Sequence, residues 1–178
     1  MKNILIVGCG LIGSSVLRAV YQKKLFKNIF VLEKSKKNIS ILKKLKIKCK
    51  IVNNLKNVST DLDFVIFCTP MSQYMSIVLK INKLINNKTI GTDVGSTKEK
   101  SFKQVKKILK KNTTWIPSHP ITGSEVSGPR YGDKNLFKNR WCIIIKEGNV
   151  NKTNLSKLKS FWQKLGSKVI FMNSKQHD

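Results

Sequence analysis

ILIVGCGLIGSS, residues 4–15, joins an apolar run of strand length to a glycine turn and then to a segment of helical spacing. The glycines fall as Gly8-x-Gly10-x-x-Gly13, a pattern that is weak alone and stronger between a strand and a helix. Glu33 follows Gly13 by twenty residues, at the end of the next apolar run. Each member has a physical task in a dinucleotide-binding turn. Gly8 permits the tight turn, Gly10 lets the backbone approach a pyrophosphate, and Gly13 lets the helix pack closely on the sheet. The helix start at Leu11 and Ile12 supplies free N–H groups and the positive end of the helix dipole. Glu33 can accept hydrogen bonds from the adenosine ribose hydroxyls. That favours NAD, because a carboxylate repels the 2′-phosphate of NADP. Lys34, Lys36 and Lys37 lie just beyond and could offset the repulsion, which leaves NADP open. The bland alternative is a tight strand–helix turn with no ligand.

Outward from this turn, strand-length runs alternate with helical patterns. Residues 4–7, 29–32, 50–52, 64–68, 89–94, 141–146 and 168–172 read as strands, with a short extended piece at 115–117. Residues 11–24, 75–85, 97–110 and 155–165 read as helices. Another helix is capped by Ser35, with Ile39, Leu42 and Leu45 as its apolar face. The alternation predicts an α/β fold: a Rossmann-type, doubly wound, mostly parallel sheet with helices on both faces. The runs at 4–7, 64–68 and 89–94 are nearly all apolar, as strands buried on both faces should be. Residues 118–134 form the long irregular stretch, and long loops in compact domains are often functional.

At 178 residues the chain suits one domain. No apolar run reaches the roughly 18 residues a membrane helix needs. The N-terminus lacks a signal-peptide pattern, so a cytoplasmic protein with no membrane association is expected. The formal charge of +26 suggests nucleic acid at first. Yet the only arginines are Arg18, Arg130 and Arg140, base and phosphate forks favour arginine, and the lysines are spread over every helix. No nucleic-acid partner is expected; an anionic substrate and cofactor would still be drawn in by the field. Cys9, Cys49, Cys68 and Cys142 show no metal-ligand spacing, so no metal is expected. Cys9 and Cys68 read as small apolar fillers.

A second constellation belongs to the same sheet edge. Cys68-Thr69-Pro70 ends the fourth strand, where Thr69 and Pro70 are placed to touch a cofactor lying across the strand ends. TDVGSTK (92–98) ends the fifth strand, and SHPITGSEVSGP (118–129) is the long loop. Together they bring Ser96, His119, Ser124 and Glu125 to that edge. An imidazole with reference pKa near 6.5 can take up the hydroxyl proton that alcohol oxidation releases. A histidine that only ties its loop together fits the spacing equally well.

GCGLIGSS, the CTP after the fourth strand, DVGSTK, HPITGSEVSGP and LFKNRWCII, in this order and spacing, resemble the prephenate dehydrogenase family with its arogenate and cyclohexadienyl relatives. The resemblance covers essentially the whole chain; HPITGSE with an upstream DVGSTK is its specific part. It implies NAD(P)-dependent oxidative decarboxylation of prephenate, or arogenate, to 4-hydroxyphenylpyruvate, or tyrosine, in tyrosine biosynthesis. It implies that His119 contacts the ring hydroxyl and assists its deprotonation, that Ser96 lies between nicotinamide and substrate and supports the histidine, and that Ser124 and Glu125 line the substrate entrance. Arg140 falls in a stretch read as structural. The family carries a helical, dimer-forming domain after the nucleotide domain. Residues 1–172 are therefore expected to be the NAD(P)-binding domain, with 173–178 the start of a helical domain otherwise absent, and a homodimer is expected for the full-length protein. Prephenate's two carboxylates need cationic partners, for which Arg130 and Lys134 are the nearest candidates in sequence. The 178 residues alone are expected to bind NAD and to turn prephenate over poorly. The competing readings are a related reductase of the pyrroline-carboxylate or β-hydroxyacid type, and a truncated, non-catalytic dinucleotide-binding module.

Overall fold

The computed structural model describes residues 1–58, 61–110, 113–148 and 150–178. Six short runs pair side by side: β1 (Asn3–Val7), β2 (Asn28–Leu32), β3 (Lys50–Val52), β4 (Phe64–Phe67), β5 (Ile90–Asp93) and β6 (Thr114–Trp115). They form one parallel sheet in the order β3-β2-β1-β4-β5-β6. Successive strand side chains point to opposite faces, and both faces are covered. Ile4, Ile6, Phe64 and Ile66 pack with Val16, Leu17 and Val20 of α1 (Leu11–Gln22) and Leu158, Phe161 and Trp162 of α5 (Lys152–Leu165). Leu5, Val7, Val65 and Phe67 pack with Tyr74, Ile77, Val78 and Ile81 of α3 (Tyr74–Ile81) and Val105 of α4 (Glu99–Ile108). This two-sided burial is why the strands read as unbroken apolar runs.

The strand order reverses direction between β1 and β4, which puts a crevice at the carboxyl ends of these strands. The glycine turn lies there. α2 (Lys36–Lys43) follows β2 and starts as its cap predicts, with Ser35 Oγ accepting from the Asn38 N–H at 3.2 Å.

The last strands depart from the single sheet. β7 (Ser118–Pro120), β8 (Trp141–Ile145) and β9 (Lys168–Met172) make a separate three-stranded sheet in the order β7-β8-β9. β7 runs antiparallel to β8, with His119 opposite Ile143, and β8 runs parallel to β9. The start of the stretch expected to be irregular is therefore ordered strand. Its sequence, Ser-His-Pro, carries no apolar alternation. Pro120 is tolerated because β7 is an edge strand, where a missing N–H breaks no ladder. A short helix, α6 (Ser174–His177), closes the described chain with a capping box made by Asn173 and Gln176.

Candidate active site

The glycines of the turn have two different reasons to be there. Gly8 has φ +80, a left-handed conformation, and a Cβ there would lie 2.5 Å from Thr69 Cγ2. A Cβ on Gly13 would stand 2.1 Å from the Gly8 carbonyl oxygen. The fold itself demands these two. A Cβ on Gly10 would meet nothing within 4 Å, so there the chain keeps space clear for something from outside. Gly10 also precedes α1 with no side-chain cap and no acidic residue in the first turn. The Leu11 and Ile12 N–H groups at that end are thus available, with the positive end of the helix dipole behind them. Beside the turn, the Thr69 hydroxyl is buried without a hydrogen-bond partner among the described residues. An open approach, uncapped N–H groups and an orphaned hydroxyl fit a dinucleotide pyrophosphate. Pro70 is exposed and leads into a short 3-10 turn over Met71–Gln73.

Glu33 is buried, 9% exposed. Its Oε2 accepts from the Cys9 N–H at 3.0 Å, and its Oε1 from the Lys34 and Ser35 N–H groups at 2.8 and 2.9 Å. The carboxylate therefore ties the glycine turn to the end of β2. Asn38 Nδ2 donates weakly to Oε2 at 3.4 Å, so every acceptor position of the carboxylate has a donor, and a ribose hydroxyl would take the place of this weakest one.

At the end of β5 lies a buried polar cluster. Lys98 is fully buried; its Nζ donates to Asp93 Oδ2 at 2.7 Å and to the Ser118 carbonyl at 2.6 Å. Asp93 Oδ2 also accepts from the Gly95 N–H at 3.0 Å and the Tyr74 hydroxyl at 3.3 Å. Burial, followed by the Asp93 charge, pushes the Tyr74 hydroxyl pKa far up and keeps it a donor. The Ser118 hydroxyl donates to the Asp93 carbonyl at 2.8 Å, and accepts from Trp162 Nε1 at 3.0 Å and Thr92 Oγ1 at 2.9 Å. One proton and two lone pairs are all a serine hydroxyl has, so Ser118 is saturated.

Ser118 and Lys98 set the position of the next residue, His119, which is half-buried. Its Nδ1 lies 2.9 Å from His177 Nε2, and its Nε2 has no hydrogen-bond partner among the described residues. Burial, then the Lys98 and His177 charges, bring its pKa down to about 4, against the opposing pull of Asp93 and Asp178. At neutral pH the ring is uncharged and can accept a proton.

The other expected residues are spread around this edge. Ser96 is exposed on the turn between β5 and α4. Ser124 and Glu125 are exposed on the loop after β7, where Ser124 Oγ accepts weakly from the Val126 N–H at 3.4 Å. Arg130 and Lys134 lie on the α1–α2 side. Their segment is held there because the Pro129 carbonyl accepts from Ser14 Oγ and Arg18 Nη2, and Ser15 Oγ accepts from the Asp133 N–H. Arg130 shares a cavity of about 720 Å³ with Lys37 of α2 and Lys44 just after it. Arg140 sits one residue before β8. Burial raises the thiol pKa values of Cys9, Cys68 and Cys142, as befits fillers.

Asp93, Lys98, Ser118 and His177 escaped the sequence reading as site residues. The signal available was an acid and a base five residues apart across a strand–helix turn, inside a motif already singled out.

A parallel sheet in this strand order, with a phosphate-ready helix start at its reversal point, defines a Rossmann-type nucleotide-binding domain. Residues 16–171 match the family model of the prephenate dehydrogenase nucleotide-binding domain, and the chain belongs to that family. It is 25% identical over 177 residues to the cyclohexadienyl dehydrogenase of Zymomonas mobilis, covering 99% of this chain and 60% of that protein. It is 28% identical over 180 residues to the prephenate dehydrogenase of Lactococcus lactis, covering 100% of this chain and 48% of that protein. Among solved structures, the prephenate dehydrogenase of Aquifex aeolicus in complex with hydroxyphenyl propionate and NAD+ superposes with a TM-score of 0.90 at 28% identity, over 99% of this chain and 62% of that one. The chain thus spans about half to three-fifths of the curated relatives it matches. Among the described residues, no helix is long and apolar enough to cross a membrane.

Proposed function

We propose that this chain is the nucleotide-binding part of an NAD-dependent dehydrogenase that oxidatively decarboxylates prephenate or arogenate, giving 4-hydroxyphenylpyruvate or tyrosine. The observation that carries the reading is the His119 ring: neutral, with Nε2 free, on the strand next to the end of β5 in a family member. Bound NAD would supply the hydride acceptor. Gly8, Gly10 and Gly13, with the Leu11 and Ile12 N–H groups, would hold its pyrophosphate; Glu33 would take the adenosine ribose; Thr69 and Pro70 would lie beneath it. His119 Nε2 takes the proton from the ring hydroxyl as hydride leaves the same carbon. The bond to the ring carboxylate then breaks, carbon dioxide leaves, the electron pair of that bond completes the aromatic ring, and the ring oxygen takes its proton back from His119. Ser96 supports this end of the reaction, and Ser124 and Glu125 line the way in.

Residues 1–172 form the nucleotide domain, and the segment 173–178 leads toward a helical domain like that of longer relatives, which would provide cationic groups for the substrate carboxylates and a homodimer contact. Small soluble substrates in the cytoplasm are the expected setting. The partial span of the relatives favours one second reading: the 178 residues bind NAD without turning prephenate over.

Calorimetric titration with NAD and with NADP tests the first step, and NADH absorbance with prephenate and with arogenate tests the second. NAD binding that disappears in Gly10→Ala supports the site. No binding of either nucleotide at millimolar concentration would overturn it. Turnover by the 178 residues at about 1 s⁻¹ or faster, an ordinary enzyme rate, would exclude the second reading.

A further inference from the structure

Behind His119 stands a chain of side chains that the reaction above does not use. His177 Nε2 is 2.9 Å from His119 Nδ1, with the two rings tilted by 59°. His177 Nδ1 is in turn 2.7 Å from Asp178 Oδ1, and the His177 side chain is only 4% exposed. Asp178 is anchored at the start of α4. Its Oδ1 accepts from the Lys98 N–H at 2.9 Å, and its Oδ2 from the Glu99 N–H at 2.9 Å. α6 is fixed by its capping box and by the Ser174 N–H donating to Glu147 Oε1 at 2.6 Å. His177 is therefore held, and its two nitrogens have defined partners.

The protons in this chain follow from what each atom can do. A carboxylate only accepts. Burial works against ionisation of Asp178, but the Glu99 N–H, the His177 ring and the Lys98 N–H outweigh it and hold its carboxyl below the usual range. His177 Nδ1 must then carry a hydrogen and give it to Asp178. In neutral His177 that leaves Nε2 with a lone pair, and the 2.9 Å contact requires a donor opposite. The donor is the Nδ1–H of His119. One nitrogen of a neutral imidazole bears hydrogen, so His119 Nε2 is the one without it.

We propose that His177 and Asp178 form a proton relay that holds His119 in its Nδ1–H tautomer, keeping Nε2 ready as a base, and that receives the proton equivalent His119 takes up. This deepens the functional reading and rests on it for the second half. When Nε2 gains a proton, the Nδ1 proton passes to His177 Nε2. One proton enters His119 and one leaves it. The positive charge comes to rest on His177, against the Asp178 carboxylate. Burial and the facing Lys98 cation make His119 a poor place to keep that charge; the groups facing it are Lys98 and Asp93 on one side, and His177 and Asp178 on the other. His177 and Asp178 are positioning residues, since neither has been placed against substrate.

The chain has two histidines, so ¹⁵N imidazole spectra can be assigned from single-histidine variants. In the wild-type chain near pH 7.5, the far-downfield resonance of an unprotonated nitrogen is expected at Nε2 of both rings. Asp178→Asn keeps a side-chain oxygen for the α4 N–H groups and turns its NH2 toward His177 Nδ1. Both tautomers should then reverse, with the downfield resonance moving to Nδ1 of each ring. His177→Gln, whose amide oxygen can still accept from His119, should keep the His119 tautomer while removing the group that receives the proton. Circular dichroism and calorimetric NAD affinity, both expected unchanged in Asp178→Asn, separate a lost tautomer from a lost fold. A wild-type His119 protonated at Nε2, or an Asp178→Asn chain that is folded with tautomers unaltered, would overturn the relay. Failure of the wild-type chain to bind NAD would instead strike the functional reading and leave the tautomer result standing.

Discussion

Replacing Lys98 by methionine keeps most of the apolar stem and removes only the buried ammonium. Lys98 is 0% and Asp93 2% exposed at the side chain, and they meet at 2.7 Å. In the variant the Asp93 carboxylate retains just the Gly95 N–H and the Tyr74 hydroxyl as donors to Oδ2, while the Ser118 carbonyl loses its amine. Removing one partner of a buried pair costs about 3–5 kcal/mol, because the other charge is left uncompensated. Domains of ordinary stability have about 5–15 kcal/mol in all, so Lys98→Met should consume much of the margin. With a urea slope of about 2 kcal/mol per molar, the unfolding midpoint should fall by roughly 2 M. Asp93→Asn combined with Lys98→Met removes both charges and should lose less than the single methionine variant. The same loss of a facing cation should raise the His119 pKa, visible in an NMR titration of the ring. Urea melts of the wild type, both singles and the double form the cycle. A Lys98→Met cost below about 1 kcal/mol, or fully additive singles, would refute the claim that this pair organises the site.

Three other outcomes follow from the same geometry. Gly10→Ala should shift stability by no more than about 1 kcal/mol and abolish NAD binding, because its Cβ has room in the chain but not beside a pyrophosphate; Gly13→Ala should cost about 1–3 kcal/mol or more through the clash with Gly8, read in a thermal melt. As pH falls, the unfolded chain takes up a proton on His119 near pH 6.5 while the folded chain resists until about pH 4. The folded state binds fewer protons across that window, so the stability present above pH 6.5 is progressively lost down to pH 4, by about 1–2 kcal/mol once solvent screening of the half-exposed ring is discounted; His119→Asn should flatten that part of the pH profile of urea midpoints.

The parallel sheet was legible because burial on two faces leaves an unmistakable mark. Ile4 to Val7 and Phe64 to Phe67 must be apolar at every position, and the glycines between strand and helix are required by atoms that a Cβ would strike. The small sheet was not legible. Ser118–Pro120 carries no alternation, and its partner strands look like any others, so only the tertiary pairing reveals it. For the site, His119 and Ser96 stood out through motif resemblance and residue chemistry. Lys98 did not, because a lysine in a lysine-rich helix looks solvated; nothing local says that this one turns inward to Asp93. His177 was equally hidden, since its role depends on α6 folding back across β7, a relation between residues 58 positions apart.

Ser118 has a mechanical consequence. Its hydroxyl and carbonyl join β5, α5 and the buried Lys98 amine just before α4, so the backbone carrying the imidazole is braced by the cores of both sheets together. The ring is a fixed post. The neighbouring loop is tied down at its start, where the Ile121 N–H donates to the Trp141 carbonyl and Thr122 Oγ1 to the Leu136 carbonyl, while Gly123 to Ser127 beyond it are exposed and held, among the described residues, by the weak Val126 N–H to Ser124 Oγ contact.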